Sequence, residues 1–455
     1  MMRVQSIKKK VLTVLVILLA LGIVLQFFRP ALDNPPVTAD WVAPSEVKTI
    51  FQRACYDCHS NQTRLAWFDR AVPAYWLVVR DINKGRAVLN FSTLDSLPKA
   101  QQAAKLYEAL NQIEFHTMPL PSYALLHQGA ILSPGEITTL RQYLLTLTPK
   151  AVQDTTKERL ALAQLAQWTA AGTAAGAVRA DAPNGITYHD LADFANWKAM
   201  STTERFDNGT MRLILANSIA EQAIRDGQMH PWPKGATFAK VAWDQLPDTA
   251  GEVHIGAFRQ VEFMIRDQDK YAATDGWGFA RWVGGLAFKP YGRYPGFVSE
   301  CTNCHQTMAA DDHVFTFPLA DTLALYDQAA LLPDSVEGHP MVGRVITAFV
   351  NRRDQTMSTL YGNDIGVKNA RSGKAAYPAG SVLALVTWSQ RDDPHWFGGR
   401  IPRILQSVEV LSFGMGVAPS YGYYEGTPLT KKQPAAIDVP ARMAYITAQK
   451  AAVLP

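Results

Sequence analysis

Cysteine is scarce in this chain, with four residues in 455. All four fall in two close pairs, Cys55/Cys58 and Cys301/Cys304, so no thiol is left over for a structural disulfide. The pairs lie 301 − 58 = 243 residues apart and each is followed at once by His, which argues against a compact four-ligand zinc site. Neither pair sits in a strand-helix-strand context, which argues against a thioredoxin-like dithiol. An excess of one charge is missing as well: 44 Lys and Arg face 40 Asp and Glu, and a net charge of +4 gives no footing for nucleic-acid binding.

What remains is two copies of one pattern. Cys55-Tyr56-Asp57-Cys58-His59 and Cys301-Thr302-Asn303-Cys304-His305 both read Cys-x-x-Cys-His, the attachment sequence of a c-type haem. Two thiols at that spacing each form a thioether to one vinyl group of the same porphyrin, and the adjacent imidazole lies under the iron. The expected cofactors are therefore two covalently attached haems c, with Cys55, Cys58 and His59 holding one and Cys301, Cys304 and His305 the other.

Near the N-terminus, Arg3, Lys8, Lys9 and Lys10 precede an apolar run from Val11 to Phe28, broken by Thr13, Gly22 and Gln26. Eighteen residues at helical rise reach about 27 Å, the scale of a bilayer core. With the basic flank, this predicts a transmembrane helix, retained as a signal anchor rather than cleaved, with the remainder in the periplasm or an equivalent extracytoplasmic space. Pro30, Pro35 and Pro36 predict a stiff linker to residue 37.

Residues 38–150 read as an all-α unit. A short helix from Pro44-Ser45-Glu46 leads into the first motif, a second is expected to close at Gly85, and Leu97 to Glu114 is a third. Ser133-Pro134-Gly135-Glu136 is a capping box that opens a helix to about Leu147. A sixth iron ligand must come from another segment than His59. Met118, in the Pro-stiffened loop His116-Thr117-Met118-Pro119-Leu120-Pro121, is the first candidate, with His116 or His127 and an open position as the alternatives. Arg29-Pro30, Asn34-Pro35-Pro36, Cys55 to Asn61, Gly85-Arg86, Leu89 to Ser92 and Met118 to Tyr123 together resemble the haem-binding domain family found in membrane-anchored cytochromes.

Residues 151–184 read as an Ala-rich helix and linker. From residue 185 to 335 the pattern turns β-like, with strands over Met211 to Ala216, Thr237 to Trp243 and Val261 to Ile265. Gly235-Ala236-Thr237-Phe238-Ala239-Lys240, Val261-Glu262-Phe263-Met264-Ile265-Arg266-Asp267, Gly276-Trp277-Gly278-Phe279, Glu300 to His305 and Val314-Phe315 resemble the cytochrome P-460 family and the related cytochromes c′-beta. That resemblance implies that Lys240 becomes joined covalently to the porphyrin, that Glu262 handles substrate protons, and that hydroxylamine or nitric oxide binds at an open iron position opposite His305. Read without it, Lys240 and Glu262 are ordinary solvent-facing strand residues. An axial Met264, which shares a face with Glu262, would close the site. Phe258, Phe263 and Phe279 could instead crowd it, as in the c′-beta proteins. Met308 lies too close to His305 to reach the other face.

The last region, 336–455, echoes the one before it. Met357 follows Met211 by 146 residues, Gly380 follows Gly235 by 145 and Glu409 follows Glu262 by 147. This steady offset argues duplication. Leu385 stands at the lysine position and no Cys is present, so the second copy should bind no haem and serve instead as a pseudo-dimer partner that covers an edge or caps the haem.

The expected architecture is therefore an α+β multidomain chain: anchor and linker over 1–37, helical haem domain over 38–150, helical linker over 151–184, antiparallel β-rich P-460-like domain over 185–335 and degenerate repeat over 336–455. The expected function is a membrane-anchored dihaem cytochrome for electron transfer, with a hydroxylamine or nitric oxide oxidoreductase site at the second haem. A gas-binding protein without turnover and a pure electron carrier are the alternatives. Its partners would be the small nitrogenous ligand, a soluble or membrane redox protein and the membrane itself, and not nucleic acid.

Overall fold

The computed structural model describes residues 2–148, 152–171, 180–285, 289–316, 343–426, 429–433 and 438–454. The boundaries expected at 150/151 and 335/336 lie outside them. The chain forms two compact units, 1–148 and 149–455.

The first unit is helical: α1 (Met2–Leu25), α2 (Ser45–Ala54), α3 (Tyr56–His59), α4 (Ala74–Val88), α5 (Lys99–Glu114), α6 (Pro121–Ala124) and α7 (Pro134–Leu147). Among the described residues no helix is long and apolar enough to cross a membrane. This corrects the expected transmembrane anchor, and with it the inner-membrane and periplasmic placement. The physical reason is where α1 stops. The apolar run continues to Phe28, but α1 ends at Leu25, so Val11 to Leu25 gives 15 helical residues. These span about 22 Å, short of the roughly 30 Å hydrocarbon core. Beyond it the Gln26 amide donates to Val72 O (3.2 Å) and accepts from Val72 N (3.1 Å), and Trp76 Nε1 donates to Phe28 O (2.8 Å).

The core of this unit follows helical spacing. On α5, Ala103, Leu106, Tyr107, Leu110 and Ile113 recur at three- and four-residue steps and are buried, as are Leu140 and Leu144 of α7. Tyr107 satisfies its hydroxyl by donating to Leu144 O (2.9 Å). An aromatic cluster of Trp41, Phe51, Tyr56 and Phe91 packs beneath the first motif, with Tyr56 stacked on Phe91 at 4.9 Å. The capping box forms as expected: Ser133 Oγ accepts from Glu136 N, and the Glu136 carboxylate accepts from Ser133 N. Gly85 does not end its helix, because α4 continues to Val88.

The second unit is an antiparallel barrel. Its strands are β1 (Lys198–Arg205), β2 (Thr210–Ala216), β3 (Thr237–Pro247), β4 (Glu252–Arg266), β5 (Trp277–Val283), β6 (Lys289–Pro290), β7 (Arg344–Asn351), β8 (Thr356–Gly362), β9 (Val382–Asp392), β10 (Gly399–Ser412), β11 (Ser420–Glu425) and β12 (Thr430–Lys432). Its helices are α8 (Thr155–Ala171), α9 (Ser218–Asp226), α10 (Val298–His305), α11 (Asp364–Arg371) and α12 (Val439–Thr447). Eight strands close in the order β1-β2-β3-β4-β7-β8-β9-β10 and back to β1.

The two sequence repeats are the two halves of this one barrel, four strands each. They meet at two seams. Glu252, Val253 and His254 of β4 pair with Asn351, Val350 and Phe349 of β7, while Glu204 and Arg205 of β1 pair with Arg400 and Gly399 of β10. β4 is long because it works twice: its first residues join the seam, and Gln260 to Arg266 pair with β5. β10 divides its length the same way between β1 and β11. The likeness between the halves extends to helix caps. The Asn217 side chain accepts from Ala220 N and Thr237 N, and the Asn363 side chain accepts from Gly366 N and Val382 N.

The barrel interior is apolar and aromatic, with Val241, Trp243, Val261, Phe263 and Trp282 from the first half meeting Val386, Trp388 and Val408 from the second. Outside the wall each half carries its own apolar groove. In the first, Ile214, Phe238, Met264, Trp277 and Phe279 pack with α9 residues Ala220, Ala223 and Ile224, with Cys301 of α10 against them. In the second, Leu360, Leu383, Leu385 and Leu411 pack with Ile446 of α12.

Candidate haem sites

In the first unit the motif forms a single helical turn, closed by His59 N donating to Cys55 O at 2.8 Å. The His59 ring places Nδ1 3.1 Å from Leu89 O. A carbonyl can only accept, so Nδ1 carries the proton and the lone pair is left on Nε2, the arrangement of a ligating imidazole. Burial pushes the His59 pKa down and keeps the ring neutral, and burial together with the neighbouring Cys58 raises the Cys55 thiol to about 12. Cys58 is likewise raised to about 12, by burial and then by Asp57.

Gly85 explains its own presence here. A Cβ on it would stand 2.8 Å from Cys58 O and 3.3 Å from the His59 ring, so only glycine lets α4 lie against the motif. The next residue, Arg86, fans out to Ser60 O (2.7 Å), Asp33 O (2.6 Å), Asn34 Oδ1 (2.7 Å) and Thr63 Oγ1 (2.8 Å), tying the linker to the residues after the motif.

The three candidates for a sixth ligand differ in their surroundings. Met118 is half-buried, and its loop is tethered to the motif through the Tyr123 hydroxyl, which donates to Asp57 Oδ2 at 3.1 Å. His116 is exposed. His127 has both ring nitrogens engaged, Nε2 with Asp69 Oδ2 and Nδ1 with Tyr123 O, each at 3.0 Å, and stacks on Tyr123 at 3.8 Å. Its imidazole has a structural task.

In the second unit the motif occupies α10 against the first half's groove. His305 Nδ1 donates to His313 O at 2.7 Å, which again leaves the lone pair on Nε2. Phe279 and Phe315 flank the ring, with centroids 5.1 and 5.2 Å away. Burial lowers the His305 pKa to about 4. The acceptor is presented by a left-handed turn, φ 46° at Asp312 and 68° at His313. Asp312 holds that turn, accepting from Trp232 N (2.8 Å) and Trp277 Nε1 (3.4 Å).

Register brings together the residues named for chemistry. Lys240 stands directly opposite Glu262, and Glu262 directly opposite Arg281, so the three share the outer face. The Lys240 ammonium contacts Glu262 Oε2, and Arg281 Nη2 lies 2.6 Å from Oε1. The next rung along is apolar: Phe238, Met264 and Phe279. Arg212 adds a third cation, half-buried, whose buried Nε has no hydrogen-bond partner among the described residues.

One carboxylate thus faces three cations. Burial alone would push the Glu262 pKa up, but Lys240 and then Arg281 outweigh it and hold the carboxyl well below the usual range. Burial lowers the Lys240 pKa and Arg212 adds to that, against Glu262. Burial, with Arg205 adding, brings Arg212 down to about 9.

The other readings fare differently. Phe258 and Phe263 lie inside the barrel, across the wall from Glu262, so neither lines this groove; Phe279 does. Met264 is packed among Phe238, Trp277 and Phe279. Sequence reasoning missed Arg281 and Arg212, because only strand register places them beside Glu262.

In the second half, Glu409 occupies the glutamate's position opposite Leu385. Its carboxylate is taken up by Arg442 of α12 (Nη2 to Oε1 2.5 Å, Nε to Oε2 2.9 Å) and by the Tyr421 hydroxyl (2.6 Å). α12 follows β12 as α10 follows β6, and it packs into the groove where the first half carries its Cys-x-x-Cys-His helix.

Both motif sites have the donor set a c-type haem needs: two thiols on one helical turn and a neutral imidazole oriented by a carbonyl. Comparison with known families agrees. Residues 20–146 match the haem-binding domain family, and residues 191–316 match cytochrome P460. No curated protein matches the chain. The chain is a haem protein that joins a haem-binding domain to a cytochrome P460 domain.

Proposed function

We propose that the chain carries two covalently attached haems c, and that the second serves a hydroxylamine or nitric oxide oxidoreductase while the first passes electrons to a redox partner protein. Cys55 and Cys58 would hold the first haem with His59 as proximal ligand and Met118 opposite. Cys301 and Cys304 would hold the second, with His305 as proximal ligand.

The observation that carries this reading is the Lys240–Glu262–Arg281 rung beside the α10 motif. Haem bound there would supply an iron centre that takes a small nitrogenous ligand and accepts its electrons. Removing electrons from hydroxylamine also releases protons, so a base must stand by. Glu262 is kept ionised by its cations, and attachment of Lys240 to the porphyrin would remove the nearest of them and leave a carboxylate oxygen better able to accept a proton. Arg281 orients it and holds its charge. Lys240, with its charged form disfavoured by burial, is the amine available for attachment to the porphyrin.

The gas-binding alternative is less well supported, since of three phenylalanines that could crowd the site only Phe279 faces the groove. The pure electron carrier needs Met264 on the iron; Met264 lines the same groove as Phe279, and what favours the catalytic reading is the charged rung beside it, which a carrier does not need.

The test is absorption spectra of the reduced protein and of the oxidised protein with and without hydroxylamine, with peptide mass spectrometry of both motifs. A red-shifted Soret band in the reduced form, reduction of the oxidised haem on adding hydroxylamine, and a haem adduct on each motif peptide are expected. Two low-spin spectra indifferent to hydroxylamine would overturn the reading.

A further inference from the structure

The second half of the barrel holds no thiol, yet one of its loops reaches the first half's motif. The turn between β9 and β10, residues 393–398, is built for rigidity. Asp393 Oδ1 accepts from His395 N (2.9 Å), Asp393 N donates to Gly399 O (2.9 Å), and Trp396 N donates to Asp393 O (3.2 Å). From this turn His395 Nδ1 donates to Phe315 O at 2.8 Å. The neighbouring Trp396 ring packs on Phe315 at 6.3 Å.

Phe315 is two residues beyond His313. The segment 313–315 therefore provides two of the contacts that orient His305, the His313 carbonyl on Nδ1 and the Phe315 ring edge-on to the imidazole, with Phe279 supplying the third. His395 fixes the backbone of that segment from outside. Trp396 is anchored in turn across the β1–β10 seam, donating Nε1 to Asp207 Oδ2 (3.2 Å) beneath the Arg205 guanidinium, 4.3 Å from the ring centroid. Arg205 and Asp207 are themselves a buried ion pair.

The first half returns the contact. At its own β3–β4 turn Glu252 accepts from the Tyr445 hydroxyl of α12 at 2.9 and 3.0 Å. The first half thus holds the helix in the second half's groove, and the second half holds the segment that follows the helix in the first. In the first groove that helix is the haem motif.

We propose that His395 is a positioning residue for the second haem: the duplicated half acts as a fixed proximal support that sets the orientation and hydrogen bonding of His305. This rests on the reading of His305 as the iron ligand. The orienting bond of a ligating imidazole governs its basicity, so loosening the 313–315 segment changes the iron's reduction potential and the iron–imidazole vibration.

The experiment uses the full chain with haem bound. His395→Ala and His395→Leu remove the Nδ1 donor, while His395→Asn keeps an amide N–H at a similar reach. Haem attachment at Cys301 and Cys304 is checked by peptide mass spectrometry, and the potential and iron–histidine stretching band are then measured. Both donor-less variants should shift the potential and band of the second haem alone, and the rate of haem loss of His305 to competing ligands should rise about fivefold, the scale of one neutral hydrogen bond. The Asn variant should restore all three. Should His395→Ala not fold, the Leu and Asn pair decides. Potential and band unchanged in a donor-less variant with haem attached would overturn the proposal. Absence of haem from the wild-type 301–305 peptide would instead overturn the reading beneath it.

Discussion

Lys240 and Glu262 are direct cross-strand partners on the outer face of the barrel, ammonium against carboxylate. The equivalent positions of the second half hold Leu385 and Glu409. The carboxylate is present in both halves; the lysine is found only beside the haem motif.

Lys240→Leu copies the second half's own residue, so the fold should tolerate it. Arg281 remains at 2.6 Å to keep Glu262 paired. Peptide mass spectrometry should find the lysine-to-porphyrin adduct in the wild type and lose it in the variant, with the Cys301–Cys304 adduct retained. A wild-type Lys240 peptide of unmodified mass removes the cross-link.

Glu262→Gln keeps the shape and removes the base. Hydroxylamine oxidation should fall by about 10²-fold or more, the typical contribution of a positioned base, with haem content unchanged. A variant within threefold of wild type would clear Glu262 of the role.

The same carboxylate makes stability depend on pH. Its folded pKa is below the unfolded value of about 4.3. Its contribution is therefore fully present above that unfolded value and is lost as pH falls through the folded one. Wild type should lose stability relative to Glu262→Gln on acidification from about pH 5 downward, measured by denaturant midpoints at stepped pH. Parallel curves for the two proteins would contradict the depressed pKa.

Gly85→Ala pits two effects against each other. In a helix interior alanine is favoured by about 1 kcal/mol. Here its methyl would press on Cys58 O at 2.8 Å, and overpacking costs roughly 1–3 kcal/mol. The clash should win: a lower thermal midpoint for the first unit and a perturbed first-haem spectrum, with the second unaffected. A stabilised variant would show that α4 can move away.

Haem stoichiometry is checked by two double variants, Cys55→Ala/Cys58→Ala and Cys301→Ala/Cys304→Ala. Each should halve the peroxidase-type stain of the denatured polypeptide. If either leaves it unchanged, that motif holds no haem.

Much of this was legible in sequence because local chemistry is written locally. The Cys-x-x-Cys-His turns, the Ser133–Glu136 capping box and the 146-residue offset between Met211 and Met357 all involve short patterns. What escaped depends on partners far along the chain. Gly85 looks like a helix stop until Cys58 is beside it. Arg281 is one more strand residue until register sets it against Glu262. The apolar run to Phe28 counts as a membrane span until α1 ends at Leu25, where Gln26 turns to Val72. Nothing in either repeat alone announces that four strands of each would close into one barrel.

Both seams of that barrel, β4 with β7 and β1 with β10, lie within a single polypeptide. Dilution cannot part the halves, since each is tethered at high local concentration to the other. Two identical chains would have to carry any change on both faces together. Covalent fusion lifts that demand: one groove can keep its thiols and lysine while the other is filled by its own terminal helix.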